Sequence, residues 1–222
     1  MNSRLFIIVE GQTEEAFVKE ILQPWFAAQH IHDVRAIKIS TSRGHKGGFV
    51  NYEHLKNDAI RLLKGEKDAF VTTFVDYFRL PTNVPGFVKC KEISQNTSQK
   101  ISCLEQAIYE DIGDSRFHPY IQRHEFEALL FSSNAGFEKF FGSPVSNETR
   151  NLINQFDNPE DINAHPATAP SKRILNILPD YEKVTDGNII ALEVGIDSMR
   201  QKCPRFRLWL DKIAVAAKSN PK

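Results

Sequence analysis

Leu5-Phe6-Ile7-Ile8-Val9-Glu10-Gly11-Gln12-Thr13-Glu14-Glu15 joins an unbroken apolar run to an acid, a glycine and a group of helix-start residues. An apolar run without alternation reads as a strand covered on both faces, as in a parallel sheet. Ligands of open parallel sheets bind beyond the carboxyl ends of the strands, so this strand delivers Glu10 to a functional edge. Gly11 turns the chain without steric cost, Thr13 is placed to cap a helix, and Glu14 and Glu15 suit that helix's first turn.

Outward from this stretch, Ala16, Phe17, Ile21, Leu22 and Trp25 recur at helical spacing, with Pro24 marking a late kink or the end of the helix. Val34 to Ile39 is a second strand, and it runs into Ser40-Thr41-Ser42-Arg43-Gly44-His45-Lys46-Gly47-Gly48. That glycine-rich loop reads either as a surface loop or as a substrate-binding loop whose backbone N–H groups approach a phosphate. Tyr52 to Lys64 is helical, and Ala69 to Val75 is a β-branched and aromatic third strand ending at Asp76. A second acid thus stands at a strand's carboxyl end.

Tyr77 to Gln95 holds Pro81 and Pro85 and reads as a long crossing loop, followed by a helix from Asn96-Thr97-Ser98 to about Asp111. Phe117 to Gln122 is a short fourth strand, placed toward an edge by Pro119. His124-Glu125-Phe126-Glu127-Ala128-Leu129-Leu130-Phe131, read as a helix, buries Phe126, Leu129 and Leu130 and sets His124 and Glu127 on another face. A first-turn Glu there is equally well read as a surface acid complementing the helix dipole.

Beyond Ser132 the alternation of strand and helix stops. Glu148–Phe156, Ser171–Leu178, Gly187–Gln201 and Phe206–Ala217 look helical, separated by Asn158-Pro159, His165-Pro166, Ala169-Pro170 and Cys203-Pro204. The expected organisation is an α/β core over residues 1–131 and a helical subdomain over 132–222. Lys172 and Arg173 fall in the first turn of a helix, where bases oppose the dipole; they read either as anion-binding groups or as solvated surface bases. Phe206, Leu208, Trp209, Leu210 and Ile213 read as core or subunit-interface residues.

Composition narrows the function classes. The 222 residues carry 28 Lys and Arg against 28 Asp and Glu, so bulk charge gives no drive toward nucleic acid and any such binding needs a local patch. Three cysteines, Cys90, Cys103 and Cys203, lack metal-ligand spacing and read as ordinary thiols in a reducing compartment, without a disulfide framework. No signal-peptide layout or membrane-length apolar window occurs, and a cytoplasmic protein is expected.

Carboxylates converging at one sheet edge repel each other, and a hard divalent cation relieves this while leaving sites for water and phosphate oxygens. An apolar strand ending in Glu10-Gly11, followed about sixty residues on by one ending in Asp76, resembles the Toprim domain of topoisomerases, primases and OLD-type nucleases. The wider set, Val9 to Glu14, Val75-Asp76-Tyr77-Phe78-Arg79-Leu80-Pro81, His124 to Phe131 and Ala169-Pro170-Ser171-Lys172-Arg173, resembles a bacterial Toprim-like family of undetermined biochemistry. In outline that family is similar to RloB-like proteins and is commonly encoded beside an ABC/AAA-type ATPase.

The resemblance implies an α/β, Toprim/Rossmann-like fold with a mostly parallel four-stranded sheet flanked by helices, and a C-terminal helical subdomain. It implies a Mg²⁺- or Mn²⁺-dependent nuclease acting on DNA or RNA as a phage-defence effector partnered by an ATPase. A homodimer is compatible with it. It implies Glu10 and Asp76 as metal-site acids and, by likeness to the OLD pattern, Glu14 as a third; the mechanism hypothesised has Glu10, Asp76 and Glu127 hold one or two Mg²⁺ ions. In that mechanism Lys172 or Arg173 binds the scissile phosphate, and His124 orients a ligand or acts as acid or base. One departure stands out: where the Toprim pattern has a second Asp, this chain has Phe78. Either Glu127 or Glu125 completes the site, or catalysis has been lost and the chain is an adaptor that docks on the ATPase or holds nucleic acid. A phosphohydrolase of nucleotides is a third reading.

Overall fold

The computed structural model describes residues 4–40, 48–93, 96–162 and 166–218. Strand β1, Arg4–Val9, lies at the centre of a parallel sheet, between β2, Asp33–Lys38, and β3, Ala69–Asp76. Its alternate side chains supply two cores. Leu5, Ile7 and Val9 face one hydrophobic cluster, and Phe6 and Ile8 face another. An apolar run without alternation is what two covered faces require.

On the first face lies a helix that starts as α1, Gln12–Phe17, passes through a π-helical turn, Val18–Leu22, and continues as α2, Gln23–Ala28. Pro24 does not end it: the proline sits in the first turn of α2, where its missing N–H is tolerated next to the widened turn. Thr13 is not the cap, because it lies inside α1; the N–H of Gly11 is instead held by the Glu14 carboxylate at 3.0 Å. On the second face lie α3, Tyr52–Gly65, α4, Phe87–Glu92, and α5, Thr97–Ile112, with α5 capped by the Asn96 side chain. The crossing segment is therefore not all loop. Gly86, in the left-handed region at φ 74°, starts α4 just beyond the prolines.

This packing corrects the reading of the cysteines. Cys90 of α4 and Cys103 of α5 form a disulfide, with Cα atoms 5.6 Å apart, while Cys203 is free and buried. Two cysteines thirteen residues apart came together because two helices pack side by side, which spacing alone does not reveal.

The expected fourth strand is divided into β4, Phe117–His118, and β5, Ile121–Gln122, both parallel to β3 and in one register. Pro119 removes a ladder donor, and threonine hydroxyls of β3 take over the missing bonds. Thr72 Oγ1 donates to the His118 carbonyl, while Thr73 Oγ1 donates to the Tyr120 carbonyl and accepts from its N–H. The sheet order is β2-β1-β3-β4, with β5 also on β3.

The C-terminal half is helical: α6, Ala135–Ile153, α7, Pro170–Ile177, α8, Thr185–Val194, α9, Ile196–Lys202, and α10, Pro204–Lys218. Helix α6 starts earlier than the sequence suggested and carries a break at Gly142, which left its first half without a sustained period. A turn at Gly195 divides the single helix expected over 187–201. These helices pack on the Leu5, Ile7 and Val9 face of the sheet and share its core. Trp209 of α10 stacks on Tyr120 at 4.4 Å and donates its indole N–H to Thr72, while Leu208 points outward and is 64 % exposed. Helix α7 begins against a remote carboxylate: Glu125 accepts from the N–H and hydroxyl of Ser171. Glu160 does the same for α10 through the N–H groups of Arg205 and Phe206. Among the described residues no helix is long and apolar enough to cross a membrane.

Candidate functional site

Glu10 follows β1, and its Oε1 accepts the N–H of Asp76, the last residue of β3, at 2.6 Å. One turn into α1, Glu14 turns back toward the same edge, since one of its oxygens holds the Gly11 N–H. Glu127 arrives from the other side, on a 3₁₀ helix over Phe126–Ser132. Its side chain is fully buried, and neither carboxylate oxygen has a hydrogen-bond donor.

Between these acids stands a residue that sequence reasoning missed. Lys183 Nζ lies 3.4 Å from Glu14 Oε1, 3.4 Å from Glu127 Oε2 and 3.7 Å from Asp76 Oδ2. It comes from the link between α7 and α8. A lysine in a polar link carries no local signal; the only hint available was that a group of buried carboxylates needs a counter-charge.

The electrostatics follow from burial and crowding. Burial, aided by the Glu14 charge and opposed by the hydrogen bond from Asp76, raises the pKa of Glu10 to about 7. Burial pushes Asp76 well above the usual carboxylate range; Lys183 pulls it down, and Glu10, Glu14 and Glu127 push it up. Glu127 is raised mainly by burial. Burial disfavours the charge of Lys183, but Asp76, Glu127 and Glu14 outweigh it and hold the ammonium well above the ordinary lysine value.

The other expected site residues make no ion pair with Lys183, although the Glu125 charge reaches both Glu127 and Lys183. His124 is not on a helix with Glu127: it lies in the left-handed region at φ 69°, before the 3₁₀ helix begins, and its carbonyl accepts from the N–H of Phe78. Burial lowers its pKa to about 4, so its ring is neutral, and its Nε2 has no partner. Glu125 has both oxygens engaged by Ser171. Arg173 donates to the Thr168 carbonyl and lies over the Phe156 ring, while Lys172 is exposed and pairs with no carboxylate among the described residues. The helix start that these two bases flank is met by the Glu125 carboxylate. Phe78 is half-buried beneath the Arg79 guanidinium. In the glycine-rich loop, residues 41–47 lie outside the described residues.

A family described as Domain of unknown function (DUF4276) matches residues 9–214. The chain belongs to the DUF4276 family. The match runs from the end of β1 into α10 and so takes in the three strand-edge acids, Glu127 and Lys183 of this DUF4276 protein. No curated protein matches it. Among solved structures, the C-terminal region of the Burkholderia pseudomallei OLD protein is similar at 16% identity and TM-score 0.50, covering 98% of this chain and 100% of that one. The C-terminal region of the Xanthomonas campestris pv. campestris OLD protein matches at 13% identity and TM-score 0.48, covering 97% of each chain. At this identity the likeness concerns the fold: the DUF4276 protein has the Toprim-like α/β arrangement, a mostly parallel sheet flanked by helices with further helices at its C-terminal end.

The donor set suits a hard cation. All four acids offer carboxylate oxygen, and Glu127 keeps two buried oxygens that no hydrogen bond satisfies. Among the described residues no three of these side chains are close enough to enclose an ion as they stand, and the Lys183 ammonium lies among them.

Proposed function

We propose that this DUF4276 protein is a metal-dependent phosphodiesterase of Toprim type that cleaves DNA or RNA. The observation that carries the reading is the convergence of Glu14, Asp76 and Glu127, from three separate elements, on one point, with the Glu127 carboxylate buried and without a donor. Burying several carboxylates together costs stability, and a fold keeps such an arrangement where a cation repays it in function.

Glu10, Glu14, Asp76 and Glu127 are the residues that would hold Mg²⁺ or Mn²⁺. When bound, such an ion supplies Lewis-acid activation of water and stabilises the leaving oxygen of a phosphodiester. The chain's own contribution is positional. Glu10 fixes the end of β3 through the Asp76 N–H, and the Glu14–Gly11 bond fixes the first turn of α1. Buried Phe126, Leu129 and Leu130 anchor the segment that presents Glu127. The role as an effector in phage defence, with an ABC/AAA-type ATPase as partner, is supported by the resemblance of the motifs around Glu10, Asp76, His124 and Ala169.

The adaptor reading draws on two observations: Phe78 stands where a further acid is usual, and Lys183 stands between the acids. A cleavage assay separates the two. Labelled DNA and RNA are incubated with the protein and Mg²⁺ or Mn²⁺, with and without an ABC/AAA-type ATPase as candidate partner. The nuclease reading expects cleavage by wild type, lost on chelation and in Asp76→Ala. Cleavage of equal extent by both chains, or by neither, sinks it.

A further inference from the structure

Several other lysines hold their partners closely, the exposed Lys19–Glu20 pair at 3.3 Å being an exception. Lys38 lies 2.7 Å from Glu15 and Lys139 2.6 Å from Glu193, the distances of charge-assisted hydrogen bonds. Lys183 stands further from all of its partners, at 3.4, 3.4 and 3.7 Å. It screens three charges while being tied to none, and both oxygens of Glu127 lack a donor despite its presence.

The lysine also has a way out, and the acids do not. Its side chain is 38 % exposed, against 0 % for Glu127 and 6 % for Glu14. The backbone on either side is pinned: Tyr181 is buried, Glu182 N–H donates to Asp186 at 2.8 Å, and Asn188 donates to the Val184 carbonyl at 2.7 Å. Movement therefore falls to the flexible four-carbon stem, whose rotation carries the ammonium to solvent without unfolding the link.

We infer that Lys183 is a displaceable counter-ion: it neutralises Glu14, Asp76 and Glu127 until a divalent cation takes them, and its ammonium then swings out. This rests on the metal-site reading above. It adds a regulatory consequence, because competition from an attached cation weakens metal binding and confines loading to conditions rich in divalent ion. A single ammonium offsets one carboxylate of the group, whereas a divalent ion offsets two and coordinates directly, so the exchange is favoured once the ion is abundant.

The test uses the wild-type chain and Mn²⁺ alone. Equilibrium dialysis reads binding, and trace labelling with acetic anhydride followed by peptide mass spectrometry reads the accessibility of Lys183, with exposed Lys172 as internal reference. Labelling of Lys183 should rise severalfold as Mn²⁺ saturates, with Lys172 unchanged. In parallel, Lys183→Met should bind Mn²⁺ about tenfold more tightly and melt lower than wild type in chelator. Mn²⁺ binding without a change in Lys183 labelling overturns the proposal while leaving the metal site intact, as does Mn²⁺ affinity in Lys183→Met no tighter than wild type. Absence of Mn²⁺ binding in wild type overturns the metal-site reading and the counter-ion with it. The labelling arm does not depend on the variant folding.

Discussion

Glu127 has a carboxylate with neither exposure nor a hydrogen-bond donor, and its neighbourhood disfavours the ionised form. Replacing it with neutral Gln removes one of the mutually repelling charges and lets an amide donate toward nearby acids. In chelator, Glu127→Gln is expected to be more stable than wild type by on the order of 1 kcal/mol, read from urea unfolding. A less stable variant would mean that the Lys183 contact outweighs the burial. His124 gives a second single-residue prediction. Its folded pKa of about 4 lies below the unfolded value of 6.5, so as pH falls the unfolded chain takes up the proton first. Stability present above pH 6.5 is then lost between about 6.5 and 4, by about 3 kcal/mol. His124→Asn keeps a side chain that tolerates the left-handed backbone and should flatten this acid limb. An unchanged pH profile of melting temperature would contradict that. Neither residue's setting was legible in the sequence. The pattern around Phe126 and Leu129 suggested an α-helix, but a left-handed His124 and an extended Glu125 precede a 3₁₀ turn, and that reverses which side chains meet.

At the scale of elements, what was legible followed from period and what was missed followed from tertiary contact. The uninterrupted run Leu5 to Val9 marked a strand buried on both faces because each face needed its own apolar set. Helix α4 was hidden because Pro81 and Pro85 precede a single short turn of helix, too brief for a period to show. The split of β4 from β5 was half legible: Pro119 marked the weak point, but not the threonines that bridge it. Thr73→Val keeps the shape and β-propensity while removing the hydroxyl that bonds both polar groups of Tyr120. It should cost about 2–3 kcal/mol in urea unfolding, with Thr73→Ser close to wild type. Equal stability of the valine and wild-type chains would show that the hydroxyl does not replace the ladder.

At the scale of the molecule, strand ends and first helical turns are local features, and the four acids read from the sequence, Glu10, Glu14, Asp76 and Glu127, lie around one sheet edge. The sequence did not locate Lys183, nor the partners that engage Arg173 and Glu125, the Thr168 carbonyl and Ser171, because those contacts are tertiary or lie across a turn. Glu125, a candidate site acid in the sequence, closes the start of α7, and Glu160 closes that of α10, so both carboxylates dock helices on the core. Glu14, Asp76 and Glu127, with Glu10 behind them, are proposed to form a divalent-metal site. Its most direct test is an anomalous difference map from a crystal soaked in Mn²⁺. A peak is expected within coordination distance of Glu14, Asp76 and Glu127, with the Lys183 ammonium displaced from among them. A map without a peak there, and with Lys183 still between the carboxylates, would contradict it.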